Sequence, residues 1–196
     1  FKYNSRRIKI IPNSIDTDKF KFKAVLPLSS NHPLKIAVIG RTSGPKKLRT
    51  ELFIEGFSKL LDQKGLSYKF TIIGGEIKTS IAVKTVSFSE INSDLLQQYD
   101  LICGSGRVTM EALLSGVPCI AFGETEYIGL VTEKNFESAC ASNFGDITNH
   151  FNLPVFNNDQ AQKDIELLLA NSIDYECLAD RTSRAKKKKK IYKKIM

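Results

Sequence analysis

A chain of 196 residues that is 42% hydrophobic and 26% charged can bury one good core, that of a single domain of roughly 100 to 200 residues. Its wholly apolar runs are a few residues long, well below the roughly 18 that span a bilayer, and the opening FKYNSRRIK holds no apolar signal segment; a cytoplasmic α/β or α+β protein that neither spans a membrane nor is secreted is expected. The formal net charge of +8 is unevenly placed: nine of the 29 Lys and Arg lie in Arg181–Met196, which has no acid, so the rest holds 20 basic against 21 acidic residues. A balanced body with a basic tail argues against a nucleic-acid partner.

Chain order gives alternating strand and helix. The chain starts at Phe1 rather than Met, so it is expected to be part of a longer protein. IKIIP (Ile8 to Pro12) reads as a strand and KFKAVLPLSSNHP as a linker, together an interdomain segment over 1–33. LKIAVIG (Leu34 to Gly40) follows as a strand. KKLRTELFIEGFSKLLDQKG is then a helix with Leu48, Leu52, Phe53, Phe57, Leu60 and Leu61 on one face, ending at Gly65. YKFTIIGG (Tyr68 to Gly75) and KTVSF (Lys84 to Phe88) are strands, SDLLQQY is a short helix and DLICG (Asp100 to Gly104) is a strand. RVTMEALLSG is a helix stopped at Gly116 and Pro118, before the strand VPCIAFG. EKNFESACASNFGD and DQAQKDIELLLAN read as two more helices.

Several of these strands are too continuously apolar for a half-exposed sheet, as buried parallel strands are. The pattern predicts an α/β fold, a Rossmann-like doubly wound parallel sheet over 34–172, with ligands at the carboxyl ends of its strands. The remaining 173–196 forms a basic C-terminal helix.

The cysteines Cys103, Cys119, Cys140 and Cys177 are 16, 21 and 37 positions apart, with neither metal-ligand nor redox spacing. They read as reduced core thiols. His32 and His150 lie in turn-like contexts without a second ligand nearby, so neither is assigned to a metal or a catalytic triad.

Two loops carry the chemistry. Gly104-Ser105-Gly106 follows a strand and opens the helix that contains Glu111; helix-terminal N–H groups there lack intrahelical partners and the helix end carries roughly half a positive charge, which favours an anion. After VIG comes RTSGPKK: Arg41 at a strand end, then Lys46 and Lys47 entering the long helix. Arg41 and Lys47, six residues apart, can close on a diphosphate from the side opposite Gly106. A carboxylate at Glu111 would oppose a phosphate that it touched, so its use would be to accept hydrogen bonds from sugar hydroxyls. The set describes a nucleotide or nucleotide-sugar.

IPNSID followed by Phe20, VIGRTSGPKK with IEGF, TIIGG, YDLICGSGRVTMEALLSGVPCIA and the terminal KKIYKKIM resemble, in that order and over nearly the whole chain, the C-terminal domain of family-4 (group 1) glycosyltransferases of GT-B fold. The resemblance implies a retaining transferase that takes a sugar from a nucleotide-sugar donor, UDP- or GDP-linked, with no metal and no cofactor. Its cleft would lie between this domain and an N-terminal acceptor domain, which would hold most of the catalytic groups. It implies that Arg41 and Lys47, with Lys46 as the alternative, hold the donor diphosphate together with the loop Gly104, Ser105, Gly106 and Arg107, and that Glu111 meets the ribose. The family often has a glutamate facing the donor sugar eight positions before Glu111, where this chain has Cys103. A thiol cannot replace a carboxylate that accepts hydroxyl hydrogen bonds, so either sugar recognition differs here or the member is atypical. The segment EYIGLVTEKNF (Glu126 to Phe136) follows the next strand and so belongs near the same edge, where Glu124 or Glu126 is a candidate to approach the donor sugar. By fold alone the base would lie against Val83, Val86 and Phe88.

The last helix of the family crosses back onto the N-terminal domain. Here Leu178, Thr182, Ala185, Lys189, Tyr192 and Met196 form a stripe amid lysines, and an anionic membrane surface is a possible partner of Arg181–Met196, as suits a glycan or lipid-linked acceptor. Two other readings compete: a nucleotide-sugar epimerase of the same fold, and a non-catalytic module whose Lys186–Lys190 run binds nucleic acid or an acidic partner.

Overall fold

A computed structural model describes residues 15–24, 32–87, 90–147 and 156–190, with side chains as far as 185. Six strands form one sheet: β1 (Leu34–Ile39), β2 (Tyr68–Ile73), β3 (Val83–Val86), β4 (Leu101–Gly104), β5 (Cys119–Phe122) and β6 (Tyr127–Leu130). Around it lie α1 (Pro45–Gln63), α2 (Ser93–Leu96), α3 (Arg107–Leu114), α4 (Phe136–Ala141), α5 (Asn158–Ala170) and α6 (Tyr175–Lys190). The strand order is β3-β2-β1-β4-β5-β6, that of a Rossmann-like doubly wound sheet. β1 pairs in parallel with β2, from Leu34 opposite Tyr68 to Ile39 opposite Ile73, and with β4, from Ile36 opposite Leu101 to Val38 opposite Cys103. No helix among the described residues is long and apolar enough to cross a membrane.

Alternation along β1 shows why both faces are covered. Ile36 and Val38 point to one layer, where they meet Phe53, Ile54, Phe57 and Leu61 of α1 and Ile165 and Leu168 of α5. Ala37 and Ile39 point to the other, against Ala112 and Leu113 of α3, Phe136 of α4 and Leu178 of α6. Side chains alternate faces at a period of two, so a strand buried on both sides has to be apolar at nearly every position. The first layer is aromatic: Phe53 stacks on Phe122 of β5 at 4.4 Å between ring centres and on Phe57 at 5.2 Å.

Four sequence expectations are corrected here. The sheet is not parallel throughout, because Tyr127–Leu130, read only as a segment near the ligand edge, forms β6 and pairs antiparallel with β5. Leu48 and Leu52 are 58% and 42% exposed; at 3.6 residues per turn Leu48 lies half a turn away from Phe57, and the buried stripe of α1 runs through Thr50, Phe53, Ile54, Phe57 and Leu61 instead. The helix expected over 133–146 is only α4, since Asn143, Phe144 and Gly145 all have positive φ. The tail stripe begins as core: Leu178 and Thr182 are buried. The strand expected at Ile8–Pro12 and the end of the tail from 191 lie outside the described residues.

The start of the linker is docked rather than loose. Phe20 is buried in the α3-side layer, the Lys21 N–H donates to Ser93 Oγ at 2.6 Å, and Gln97 Nε2 donates to the carbonyls of Lys21 and Ser115 at 2.9 and 3.0 Å.

A buried polar pair ties α5 to the edge strand. Tyr127 OH donates to Asp164 Oδ2 at 2.9 Å and Gln160 Nε2 to Oδ1 at 2.8 Å. Burial pushes the Asp164 carboxyl above its ordinary value, opposed by the hydrogen bonds from Gln160, Tyr127 and the Leu130 amide. A carboxyl raised in this way favours the folded state most below pH of about 4, and that contribution is lost as pH rises through the folded-state value. Asp164→Ala, which strands the Tyr127 hydroxyl, is expected to cost about 2 kcal/mol in urea denaturation. Asp164→Asn, permanently neutral, is expected to gain stability relative to the parent as pH is raised from about 4 to 7.

Candidate anion-binding cleft

In an open α/β sheet the crevice lies where the strand order reverses, outside the carboxyl ends of the strands. Here that point is between β1 and β4. The loop leaving β1 supplies Gly40, Arg41 and Thr42, and the loop leaving β4 supplies Ser105; Lys46 and Gly123 line it as well. The floor is the sheet core, with Val38, Ile39, Ile72 and Phe122.

Pro45 occupies the first turn of α1 after Gly44, where its missing N–H costs nothing, and this start swings Lys46 over the cleft. Lys46 Nζ lies 3.1 Å from Ser105 Oγ, 3.1 Å from Asp146 Oδ1 and 4.0 Å from Glu124 Oε1. Its side chain is 21% exposed, whereas Arg41, with Nη2 at 3.8 Å from the same Glu124 oxygen, is 80% exposed. Two cations, Arg41 of the loop after β1 and Lys46 of the first turn of α1, thus face two carboxylates. Lys47 does not line the cleft, being turned about 100° round the helix from Lys46; of the two lysines left open by the sequence, Lys46 is the one placed here. Arg49 and Thr50, one turn further on, also line it.

The glycine loop is arranged for close approach. Gly106 caps α3 with φ of +57°, and a Cβ there would sit 3.2 Å from both Asn143 Nδ2 and Asp146 Oδ2. Its N–H donates to the Asn143 carbonyl at 3.1 Å. Arg107 turns along its own helix, with Nε 3.3 Å from Glu111 Oε1, and Glu111 is buried in α3. The two side chains therefore meet each other.

The donor-sugar candidates separate. Cys103 is fully buried among the α1-side core residues and its thiol is pushed well up by that burial. The pleat of β4 turns Cys103 into the sheet's interior, so the structure does not bring it to the edge, a correction to the sugar-facing position expected of it. Glu124 does reach the cleft, through Arg41 and Lys46. Glu126 enters this region by its backbone, its carbonyl accepting from Gly123 N–H at 2.9 Å and its N–H donating to the Gly145 carbonyl at 3.1 Å. Of the base candidates, Val86 ends β3 at the ligand edge, where its carbonyl accepts from Gly74 N–H at 3.2 Å. Val83 begins that strand, roughly 10 Å away by strand rise, so it is not at the edge with Val86. Phe88 lies outside the described residues.

Asp146 is the member of the cleft that the sequence did not reveal. It closes the stretch read as a helix over 133–146, in which nothing set it apart as a site residue.

No family model matches the chain, and no curated protein matches it. Among solved structures the chain is similar to TarM, at 20% identity over 85% of this chain and 34% of that one, with a TM-score of 0.45. It is also similar to the spinosyn forosaminyltransferase SpnP, at 15% identity over 86% and 44%, TM-score 0.40. A third is the glycosyltransferase SnogD from Streptomyces nogalater, at 18% over 90% and 43%, TM-score 0.36. The chain spans between about a third and under a half of the length of these proteins. The Rossmann-like character of the domain is given by its own strand order and by the helices on its two faces.

The contrast between neighbouring lysines gives a direct check. Lys46→Ala leaves Asp146 and Glu124 facing each other without their shared cation and is expected to lower stability by about 1 kcal/mol, while Lys47→Ala stays within about 0.5 kcal/mol of the parent, by urea denaturation at low salt.

Proposed function

We propose that this chain is the donor-binding domain of a glycosyltransferase of GT-B type. It would take up a nucleotide-sugar at the crevice between the loops after β1 and β4, for transfer to a glycan or lipid-linked acceptor held by an N-terminal domain. The observation that carries this reading is the convergence of Lys46 and Arg41 with Ser105, directly before the Gly106 start of α3, at the point where the strand order reverses. Lys46 and Arg41 take the diphosphate, aided by the Ser105 hydroxyl and by amides of the Gly104–Arg107 loop other than that of Gly106, which the Asn143 carbonyl holds. A diphosphate carries charge for two cations, and each charge-assisted hydrogen bond to it is worth about 1.5 to 3 kcal/mol where water is excluded.

Further along α3, Glu111 serves the ribose, with Arg107 fixing the carboxylate by the pair they form. Glu124, at the tip of the β5 loop, is the group within reach of the sugar. Retention of configuration, with neither metal nor cofactor, goes with this reading, as does contact of Arg181–Met196 with an anionic membrane surface near a lipid-linked acceptor.

The reading is tested by thermal denaturation of the chain with UDP, GDP, ADP and CMP in turn, repeated for Arg41→Ala and Lys46→Ala. One nucleoside diphosphate at ten times its dissociation constant is expected to stabilise by about 1.4 kcal/mol, or roughly 3 to 6 °C at this size, with the shift lost in Lys46→Ala and reduced in Arg41→Ala. Equal shifts in parent and variants would place the nucleotide elsewhere on the chain and sink the proposal.

A further inference from the structure

The turn after α4 is built with unusual backbone. Asn143, Phe144 and Gly145 follow one another at φ of +51°, +58° and +92°. Positive φ is uncommon for residues with a Cβ and is an outlier for a bulky one such as phenylalanine. Such a conformation persists only where its surroundings hold it, and they do. The Phe144 ring is buried in the α3-side core and its N–H donates to the Ala139 carbonyl at 2.6 Å. The Gly145 carbonyl accepts from the Thr125 and Glu126 amides at 3.0 and 3.1 Å and from Thr125 Oγ1 at 2.8 Å. Ile147 N–H closes the turn on the Ser142 carbonyl at 2.9 Å.

What this pinned turn delivers is a carboxylate. Asp146 Oδ1 lies 3.1 Å from Lys46 Nζ and accepts from the Glu124 amide at 3.3 Å, while Oδ2 faces the Cα of Gly106 at the start of α3. An ammonium, a main-chain N–H and a helix N-terminus are the groups that an incoming phosphate would use. The same turn also spends one of the glycine-loop donors, since the Asn143 carbonyl takes the Gly106 N–H.

We propose that Asp146 is an affinity-determining residue of the donor site, a built-in anion that competes with the donor diphosphate for Lys46. This rests on the donor-site reading above. A diphosphate seated against Lys46 has to displace the Asp146 carboxylate from it, and two anions cannot share that ammonium without repulsion. Asp146 therefore sets a threshold that falls alike on every ligand seating a diphosphate on Lys46. A small inorganic anion has little besides charge with which to oppose it, whereas a ligand that also presents a base and a sugar brings further contacts that offset it.

Binding of UDP, GDP and inorganic pyrophosphate is measured by calorimetry at low salt on the parent chain, Asp146→Asn, Asp146→Ser, Lys46→Ala and the double variant Lys46→Ala/Asp146→Asn. The asparagine keeps an acceptor for the Glu124 amide and removes the charge; the serine is a second removal that does not depend on how the amide settles. The expected result is a gain of about five- to tenfold in pyrophosphate affinity and in the affinity of the preferred nucleoside diphosphate for both Asp146 variants, with a smaller gain in the Lys46→Ala background. Unchanged or weaker binding in both Asp146 variants overturns the inference while leaving the donor site standing. A gain for pyrophosphate with no nucleotide binding better than pyrophosphate upholds the competition and removes the nucleotide-sugar reading. No binding of any of the three to any variant removes both.

Discussion

Everything in this domain follows from burying one mostly parallel sheet on both faces. A central strand such as β1 has no solvent side, so its residues are chosen by volume. Ile36 and Val38 answer the phenylalanines of α1, and Ala37 with Ile39 lets α3 lie close above the other face. Once both faces are closed by helices, the polar ends of the strands are the only places where the sheet interior comes within reach of a ligand. With β2 on one side of β1 and β4 on the other, the chain leaves the sheet in opposite directions at adjacent strands and opens a crevice there. The cleft is thus a by-product of covering the sheet, and its floor is core: Phe122 lines it and is stacked on Phe53 of the helix that carries Lys46.

The charges at this crevice are matched closely. Arg41 and Lys46 face Glu124 and Asp146, so the site has no large excess of positive potential. Partly exposed pairs of this kind contribute little to stability, about 1 kcal/mol or less each, and their effect lies in where they hold the long cationic side chains. Lys46 is kept over the glycine loop by three oxygens, while Arg41 extends into solvent. The former is a fixed point of the cleft and the latter is free to follow a ligand.

Much of this was legible in the sequence, for physical reasons that also explain the failures. Buried parallel strands announce themselves as apolar runs that end at Gly or Pro, and β1, β2, β4 and β5 were placed that way. The two ligand loops follow directly from those strands. β6 was not legible as a strand because YIGL is short and its antiparallel pairing to β5 is decided by the tight turn before it, not by a periodicity of its own. Leu48 and Leu52 misled because leucine content was read as a face, when the angle between Leu48 and Phe57 forbids their sharing one. Choosing between Lys46 and Lys47 requires the rotational setting of α1, which Pro45 and the packing of Phe53 fix together. Cys103 was assigned by its separation from Glu111, yet separation along the chain does not say to which side of a pleat a residue turns. Asp146 depends on three left-handed residues in a row, a backbone course for which Asn143 and Phe144 offer no compositional warning.

The strand order also has a bearing on how the domain comes into being. β1 ends at Ile39 and finds β2 about thirty residues later, but its other edge has no partner until Leu101–Gly104 is available. During synthesis at roughly 5 to 20 residues per second, that bare edge, with its unpaired N–H and C=O groups, would wait several seconds for its neighbour, in the condition that invites pairing with another chain. β3, already laid against β2 by then, guards only the far side. The crevice that defines the domain is therefore also its late-closing seam, and the stretch from Tyr99 to Gly106, which ends the exposure of β1, simultaneously brings the glycine loop into position.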